Sequence, residues 1–262
     1  MEIPFLITLV LLGLGGGFLS GLLGLGGAIF MIPLLLYVPP ALGVGQLDMK
    51  QVAAVSMVQV LSASLSGLIV HNKNRFVSRS ILLYMGIMNA VGNLAGSLFS
   101  KNTKSEFLLA IFATMAVIAA VVMFIPKREQ GEGIAPEDVR YNKLLASAVS
   151  LAIGCFGGMV GAPGAFIYIP VMIYLLNIPT RIVIGSTLGI VLMGAVMGTI
   201  GKMATGQIIW LYAIALVIGT VPGAQIGGRV SKRVNTKHLR HAIAGIIAIT
   251  GIRMWYQVLT GH

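Results

Sequence analysis

Two clusters of glycine and proline interrupt long apolar stretches of this 262-residue sequence. The first cluster is Gly24, Gly26 and Gly27, followed by Ala28, and the second is Gly161, Pro163 and Gly164, followed by Ala165. Glycine and proline end helices, so a new helix is expected to begin after each cluster. A helix start presents unpaired N–H groups and the positive end of its dipole, which together bind anions. Two such starts facing each other within a membrane predict an anion-binding site.

Polar side chains stand on the stretch that follows each cluster: Ser56 and Gln59 after the first, Ser186 and Thr187 after the second. Such groups can donate hydrogen bonds to an oxyanion. Lys50 and Arg181 precede Ser56 and Thr187 by six residues each and are predicted to attract anions into a vestibule at each face. Purely structural interpretations stay open: the hydroxyls bond back to their own helices, the cations extend to the membrane surface, and the glycines only permit close packing.

The composition assigns these residues to a membrane protein. Apolar residues make up 57% of the chain and charged residues 10%, and the mean hydropathy is +0.95. Soluble domains carry about a quarter charged residues, so a soluble enzyme, a nucleic-acid-binding module and a disordered scaffold are excluded. The net charge of +11 fits basic residues retained on the cytoplasmic side of the membrane. A single cysteine, Cys155, excludes intrachain disulfides and multi-cysteine metal sites.

Hydropathy divides the chain into eight apolar runs: 4–38, 49–71, 77–99, 105–125, 143–177, 179–201, 207–228 and 238–260. Six of the eight have the length of one membrane crossing, about 20 residues. The first and fifth runs contain the glycine clusters near their middle and are too long for one crossing. We therefore predict that each forms a re-entrant hairpin of two half-helices.

The distribution of basic residues tests this prediction. With hairpins, five of the 18 basic residues lie on one face and the other 13 on the opposite face; the five are Lys50, Lys101, Lys104, Lys202 and Arg253. With eight single crossings the split is nine to nine. The positive-inside rule favours the unequal split. It also predicts a multi-pass protein with both termini outside.

The two clusters recur at a constant offset of 137 residues, which pairs Gly24 with Gly161, Gly27 with Gly164 and Ala28 with Ala165. Farther along, an offset of 131 pairs Lys50 with Arg181 and Ser56 with Thr187. We therefore predict a first membrane repeat over 1–126, a cytoplasmic linker over 127–142 and a second repeat over 143–262, within one integral membrane domain. Each repeat holds a hairpin and three membrane crossings. Because three is an odd number, the second repeat begins on the opposite face and is inverted relative to the first. The expected fold is an all-α polytopic membrane protein with its substrate site near the midplane.

The apolar runs hold no Asp, Glu, Lys or His at depth, and the sequence shows no HExxH motif, membrane aspartate pair or serine–histidine dyad. Intramembrane enzymes and proton relays depend on such residues. We therefore predict no catalytic residues, no cofactor, no metal site and no carboxylate-mediated proton coupling.

The glycine-cluster motif, GFLSGLLGLGGAIFMIP at 17–33 and CFGGMVGAPGAFIYIP at 155–170, resembles the sulfite exporter TauE/SafE family, and the resemblance covers essentially the whole chain. It implies a permease for small sulfur-containing anions, sulfite or organosulfonates such as sulfoacetate. The implied partners are that anion and the lipid bilayer, with no nucleic acid, and a homo-oligomer is compatible with it. Two alternatives stay open: an anion channel that uses the same site and, less favoured, a membrane enzyme or a non-catalytic assembly factor.

Overall fold

The computed structural model describes residues 2–23, 27–71, 77–124, 139, 141–230 and 253–255. Its principal helices are α1 (Glu2–Leu23), α2 (Ala28–Ala41), α3 (Met49–His71), α4 (Arg79–Asn102), α5 (Ser105–Phe124), α6 (Lys143–Val160), α7 (Ala165–Leu175), α8 (Thr180–Ala204) and α9 (Trp210–Val230). Two of them contain a π-helical turn: Leu82–Gly86 in α4 and Val171–Leu175 in α7. Most of the predicted linker and of the eighth apolar run lies outside the described residues.

The helices confirm the prediction of an all-α polytopic membrane protein. Within the described residues, α1, α4, α6, α9 and most of α8 are long and apolar enough to cross a membrane, and α2, α7 and much of α5 are shorter apolar helices. Large apolar side chains face outward, as at Leu144 and Phe99, which are 81% and 68% exposed. Side chains of this kind suit contact with lipid.

Two helix pairs pack so closely that only glycine fits between them. Gly13, Gly17 and Gly21 of α1 lie against the backbone of Leu216, Thr220 and Ala224 of α9. In the same way, Gly154 and Gly158 of α6 lie against the backbone of Asn89 and Asn93 of α4. In both pairs the residue numbers rise together, so the two helices run parallel. Small residues that let backbones approach are the usual basis of helix association in membranes.

The two helices at the centre are α3 and α8. Eight of the nine α3 residues from Val52 to Val60 are fully buried, so this half of the helix is enclosed on every side. Met57 of α3 contacts Gly198 of α8, whereas Gly67 of α3 contacts Leu188, so α3 and α8 run antiparallel. A helix that is buried all round is suited to line an internal site.

Basic residues mark two opposite ends of the bundle. Lys50 Nζ donates to the carbonyl of Lys101 at 3.0 Å and Lys202 Nζ to Ser100 Oγ at 2.6 Å, so these cations share one end, here called the Lys50 end. The other end, here called the Arg79 end, holds the starts of α4 and α6, where Ser80 Oγ and Tyr141 OH lie 2.9 Å apart. Arg253, whose guanidinium lies 4.3 Å from the Tyr37 ring near the end of α2, joins the Lys50 end.

Each glycine cluster separates two arms, as predicted, but the arms are unequal. The first arms, α1 and α6, contain 22 and 18 residues, about 33 and 27 Å at 1.5 Å per residue. Each is close to the full thickness of the hydrocarbon core, about 30 Å. The expectation of two half-helices thus holds only for the shorter second arms, α2 and α7. The position of a glycine cluster within an apolar run does not determine its depth in the membrane, because helices tilt and extend into the interface.

The two tips lie toward opposite ends of the bundle instead of facing each other. The second tip packs against Ala53, one turn into α3, at the Lys50 end. The first tip follows the end of α1, which lies beside the end of α9 at the Arg79 end. One tip therefore lies toward each end of the bundle.

We expect the Gly21→Ala variant to lose about 1–3 kcal/mol of stability, because its Cβ would overlap the Ala224 backbone. Gly15→Ala is the matched control on the same helix, since nothing lies within 4 Å of its added Cβ. Thermal unfolding in detergent measures both variants. Equal midpoints for the two would contradict the close α1–α9 packing.

Candidate functional site

The second tip is a tightly closed turn. Gly161 and Gly164 have φ values of +79° and +89°, which side-chain-bearing residues rarely adopt. The N–H of Ala162 donates to Gly157 O at 2.9 Å, a closure typical of helices that end in glycine. A Cβ at Gly161 would overlap the backbone of Ala53, so the tip backbone lies directly on α3.

The first tip is built in a similar way where it is described. Gly27 has φ +74°, and an added Cβ would lie 2.8 Å from Ser20 Cβ of α1. Phe30 N and Met31 N both donate to Gly27 O, at 3.2 and 3.1 Å, which starts α2 at Ala28. Gly24 and Gly26 lie outside the described residues. Both described tips therefore require glycine for conformation and for close packing, in addition to any role in binding.

The starts of α2 and α7 leave backbone donors free. At α7, Ile167 N and Tyr168 N both donate to Gly164 O at 2.9 Å, and Pro163 contributes no N–H. The N–H groups of Ala28 and Ala165, the first residues of α2 and α7, have no partner among the described residues. These are the groups that the sequence predicted to face an anion.

Three buried polar side chains of α3, Ser56, Gln59 and Ser64, lack partners among the described residues, and the first two lie near its middle. Ser56 and Gln59 are fully buried, and neither the Ser56 hydroxyl nor either polar atom of the Gln59 amide has a hydrogen-bond partner among the described residues. Leaving such groups unsatisfied costs about 1–3 kcal/mol each. Gln59 is the eleventh of the 23 residues of α3, so it lies near mid-membrane. Buried donors left unpaired at this depth are suited to receive a polar ligand.

The equivalent positions on α8 behave differently. Thr187 is buried and donates to Val183 O of its own helix at 2.7 Å, which commits its only hydroxyl proton. Ser186 Oγ accepts from Ser78 N at 3.2 Å and keeps its proton for a further bond. Thr187 thus follows the alternative in which the hydroxyl bonds back to its helix. Ser56 does not, so the two hydroxyls predicted to be equivalent differ in what they can donate.

The predicted vestibule cation Lys50 lies at the surface of the Lys50 end, bonded to Lys101 O. The side chain of Arg181 lies outside the described part of the chain. Within that part, no group of three or more His, Cys, Asp or Glu residues is placed to hold a metal ion.

Sequence reasoning missed the burial of Lys202. It counted Lys202 among the loop cations, whereas the side chain is 0% exposed near the end of α8. Its Nζ donates to Ser100 Oγ at 2.6 Å, Gln207 Oε1 at 3.1 Å and Met159 O at 3.2 Å. No local signal in the sequence could have revealed this burial, because Ser100 and Met159 lie far from Lys202 along the chain.

A second missed contact fixes the shorter arm of the second hairpin. Tyr168 of α7 is fully buried, and its OH lies 2.7 Å from Ser150 Oγ of α6. Ser150 Oγ in turn donates to Met85 O, in the π-helical turn of α4, at 2.6 Å. These bonds tie α7 to α6 and α4.

Comparisons with known proteins agree with the fold. The family model described as Sulfite exporter TauE/SafE matches residues 9–254. The probable membrane transporter protein YunE of Bacillus subtilis is 24% identical over 266 residues, covering 96% of this chain and 97% of that protein. A probable membrane transporter protein of Xylella fastidiosa is 28% identical over 250 residues, covering 92% of each. No solved structure matches the chain significantly.

We expect Gln59→Met to raise the free energy of unfolding by about 1–2 kcal/mol, because it replaces an unsatisfied buried amide with an apolar side chain of similar length. Asn89→Leu is the contrasting variant and should destabilise, since the Asn89 amide donates to Ile190 O at 2.9 Å. Thermal unfolding in detergent compares the two. A Gln59→Met variant as unstable as Asn89→Leu would show that the amide has partners in the protein.

Proposed function

Because the chain belongs to the sulfite exporter TauE/SafE family, whose members are membrane transporters and not enzymes, we propose that it transports small sulfur-containing anions. The substrate class is sulfite or organosulfonates such as sulfoacetate. The membrane is the bacterial cytoplasmic membrane. The binding site lies near the midplane, between the two tips.

The observation that carries this proposal is that Ser56 and Gln59, near the middle of α3, are buried and have no hydrogen-bond partner among the described residues. Ser56 offers one hydroxyl proton and Gln59 two amide protons, and none of the three has an acceptor among the described residues. A sulfite or sulfonate group presents three oxygens that accept hydrogen bonds. Donors without counter-charges suit an anion that must also leave, because a fixed lysine or arginine at mid-membrane would hold it more tightly.

The architecture supports alternating access by two inverted repeats, over 1–126 and 143–262, with 127–142 as the linker. The first arm of each proposed repeat packs in parallel against a helix of the other: α1 against α9, and α6 against α4. Since α1 runs away from the Lys50 end and α6 toward it, the two first arms have opposite directions, as inversion requires. Each tip then meets the substrate from its own face of the membrane. By equivalence with Gly161, Pro163 and Lys50, we include Gly24 and Gly26 of the first repeat and Arg181 of the second in the half of the site at the Arg79 end.

Transport is tested with purified protein in vesicles loaded with labelled sulfite or sulfoacetate. We expect saturable efflux that accelerates under an imposed inside-negative potential, since 100 mV is worth about 2.3 kcal/mol per charge. Ser56→Ala and Gln59→Met should each weaken apparent affinity about tenfold, which is about 1.4 kcal/mol.

The matched control is Ser62→Ala on the same helix, whose hydroxyl bonds back to Gln59 O at 2.8 Å. It should transport like the wild type. Efflux that does not saturate would indicate an anion channel, and efflux that follows only a sodium or proton gradient would overturn potential-driven export. Unchanged affinity in both α3 variants would remove Ser56 and Gln59 from the site.

The orientation is a separate proposal: the Arg79 end is cytoplasmic, and both termini are outside. In a Cys155→Ala background, Arg79→Cys and Arg229→Cys should react with impermeant thiol reagents only from the cytoplasmic side, and Lys104→Cys only from outside. All three side chains are exposed, so each position is accessible to the reagent. Labelling of Arg79→Cys and Lys104→Cys from the same side would contradict the arrangement.

A further inference from the structure

We propose that Lys202 is the charged positioning residue of the second tip: it holds the end of α6 in place and gives this tip its affinity for anions. The inference rests on the proposed function, because it assigns a role in anion transport. It starts from a carbonyl that the chain itself leaves unsatisfied.

That carbonyl belongs to Met159, in the last turn of α6. The chain reverses at Gly161, and Pro163 has no N–H to return to it. A partly buried backbone carbonyl at a helix end needs a partner, and Lys202 Nζ supplies it at 3.2 Å. The two tips differ in sequence at these positions. At the offsets that relate the proposed repeats, Gly26 stands in place of Pro163, and His71 in place of Lys202.

The three contacts of the Lys202 nitrogen match its charged form. Its nitrogen has three acceptors, Ser100 Oγ, Gln207 Oε1 and Met159 O, and only the ammonium form carries three protons. All three acceptors are neutral. The acidic residues in the described part of the chain, Glu2, Asp48 and Glu106, are exposed, and none pairs with Lys202. In that form Lys202 places a positive charge beside Met159, two residues before Gly161, and none of these carboxylates compensates it.

The position of this charge decides which ion the tip favours. A hairpin tip brings together the carboxyl-terminal end of one helix and the amino-terminal end of the next, whose partial charges, about −0.5 and +0.5, offset each other. Lys202 lies at the carboxyl-terminal end of α6 and neutralises the negative member of the pair. The tip then presents net positive potential to the space beside α3. Ser56, with its unpartnered buried hydroxyl, lies three residues beyond Ala53, which the tip contacts.

Lys202 therefore acts through the tip and not by contacting the substrate, since all its protons are already donated. Its loss should lower the affinity for anions more than the maximal rate. A purely structural role would instead reduce the amount of active protein and leave the KM of the remainder unchanged.

The test compares sulfite efflux from vesicles for four variants of the full chain. Lys202→Met should raise the KM at least tenfold and change kcat less than threefold. Lys104→Met, an exposed lysine at the same end, should stay within twofold of the wild type. Gln207→Glu keeps the acceptor for Lys202 but cancels its charge, so its KM should also rise at least tenfold. Gln207→Met loses the same amide donors, and one acceptor of Lys202, without adding charge; two acceptors remain, so its KM should stay within threefold of the wild type.

The Gln207 pair decides the outcome even where Lys202→Met does not fold. Equal KM values for Gln207→Glu and Gln207→Met would overturn the electrostatic role, as would a wild-type KM in Lys202→Met. If wild-type vesicles release no sulfite, the proposed function fails separately. The same four variants are then compared by the concentration of sulfate, thiosulfate or taurine that raises the melting temperature, and absence of any such shift in the wild type would overturn both proposals.

Discussion

Every backbone N–H and C=O group that enters the hydrocarbon must find a partner inside the protein, because lipid offers none. Unbroken helices meet this requirement automatically, and the two glycine clusters of this chain do not. At the second tip, the N–H of Ala162 donates to Gly157 O, and the Met159 carbonyl accepts from Lys202. The tip also packs directly on the backbone of Ala53 in the central helix α3.

The same requirement explains why the glycines serve two purposes at once. Gly161 and Gly164 adopt backbone conformations that favour glycine, and a side chain at either would meet a neighbour. The packing and binding interpretations of the tip glycines are therefore not exclusive. A substitution of a tip glycine disturbs the fold and therefore cannot test binding alone. Ser56 and Gln59 have no hydrogen-bond partners among the described residues, so substituting them can change binding without breaking a bond of the fold.

Much of the fold could be predicted from the sequence because hydropathy and the positions of the glycine clusters are local signals. The observed α3, α5 and α9 begin and end within about three residues of the predicted runs, and both breaks fall between Leu23 and Ala28 and between Val160 and Ala165. The lengths of the arms were not predictable, since they depend on tilt and on contacts such as Gly21 with Ala224. The burial of the Lys202 side chain was not predicted, for a similar reason. Burial of a helix-end lysine is decided by neighbours far along the chain, here Ser100 and Met159.

The chemistry of the site is asymmetric where the sequence pattern suggested symmetry. Ser56 and Thr187 are equivalent by position, yet the Thr187 hydroxyl donates to Val183 O, whereas the Ser56 hydroxyl has no partner among the described residues. Gln59 has Ile190 as its equivalent, and Lys202 has His71. In the proposed transport path, the free donors on α3 and Lys202 beside the second tip would both act on the half that opens toward the Lys50 end. If the two proposed repeats form two similar routes, unequal side chains such as these would give the routes different affinities for the same anion. A difference in affinity between the two faces shifts the concentration at which each face saturates, while the direction of net flux is still set by the electrochemical gradient of the anion.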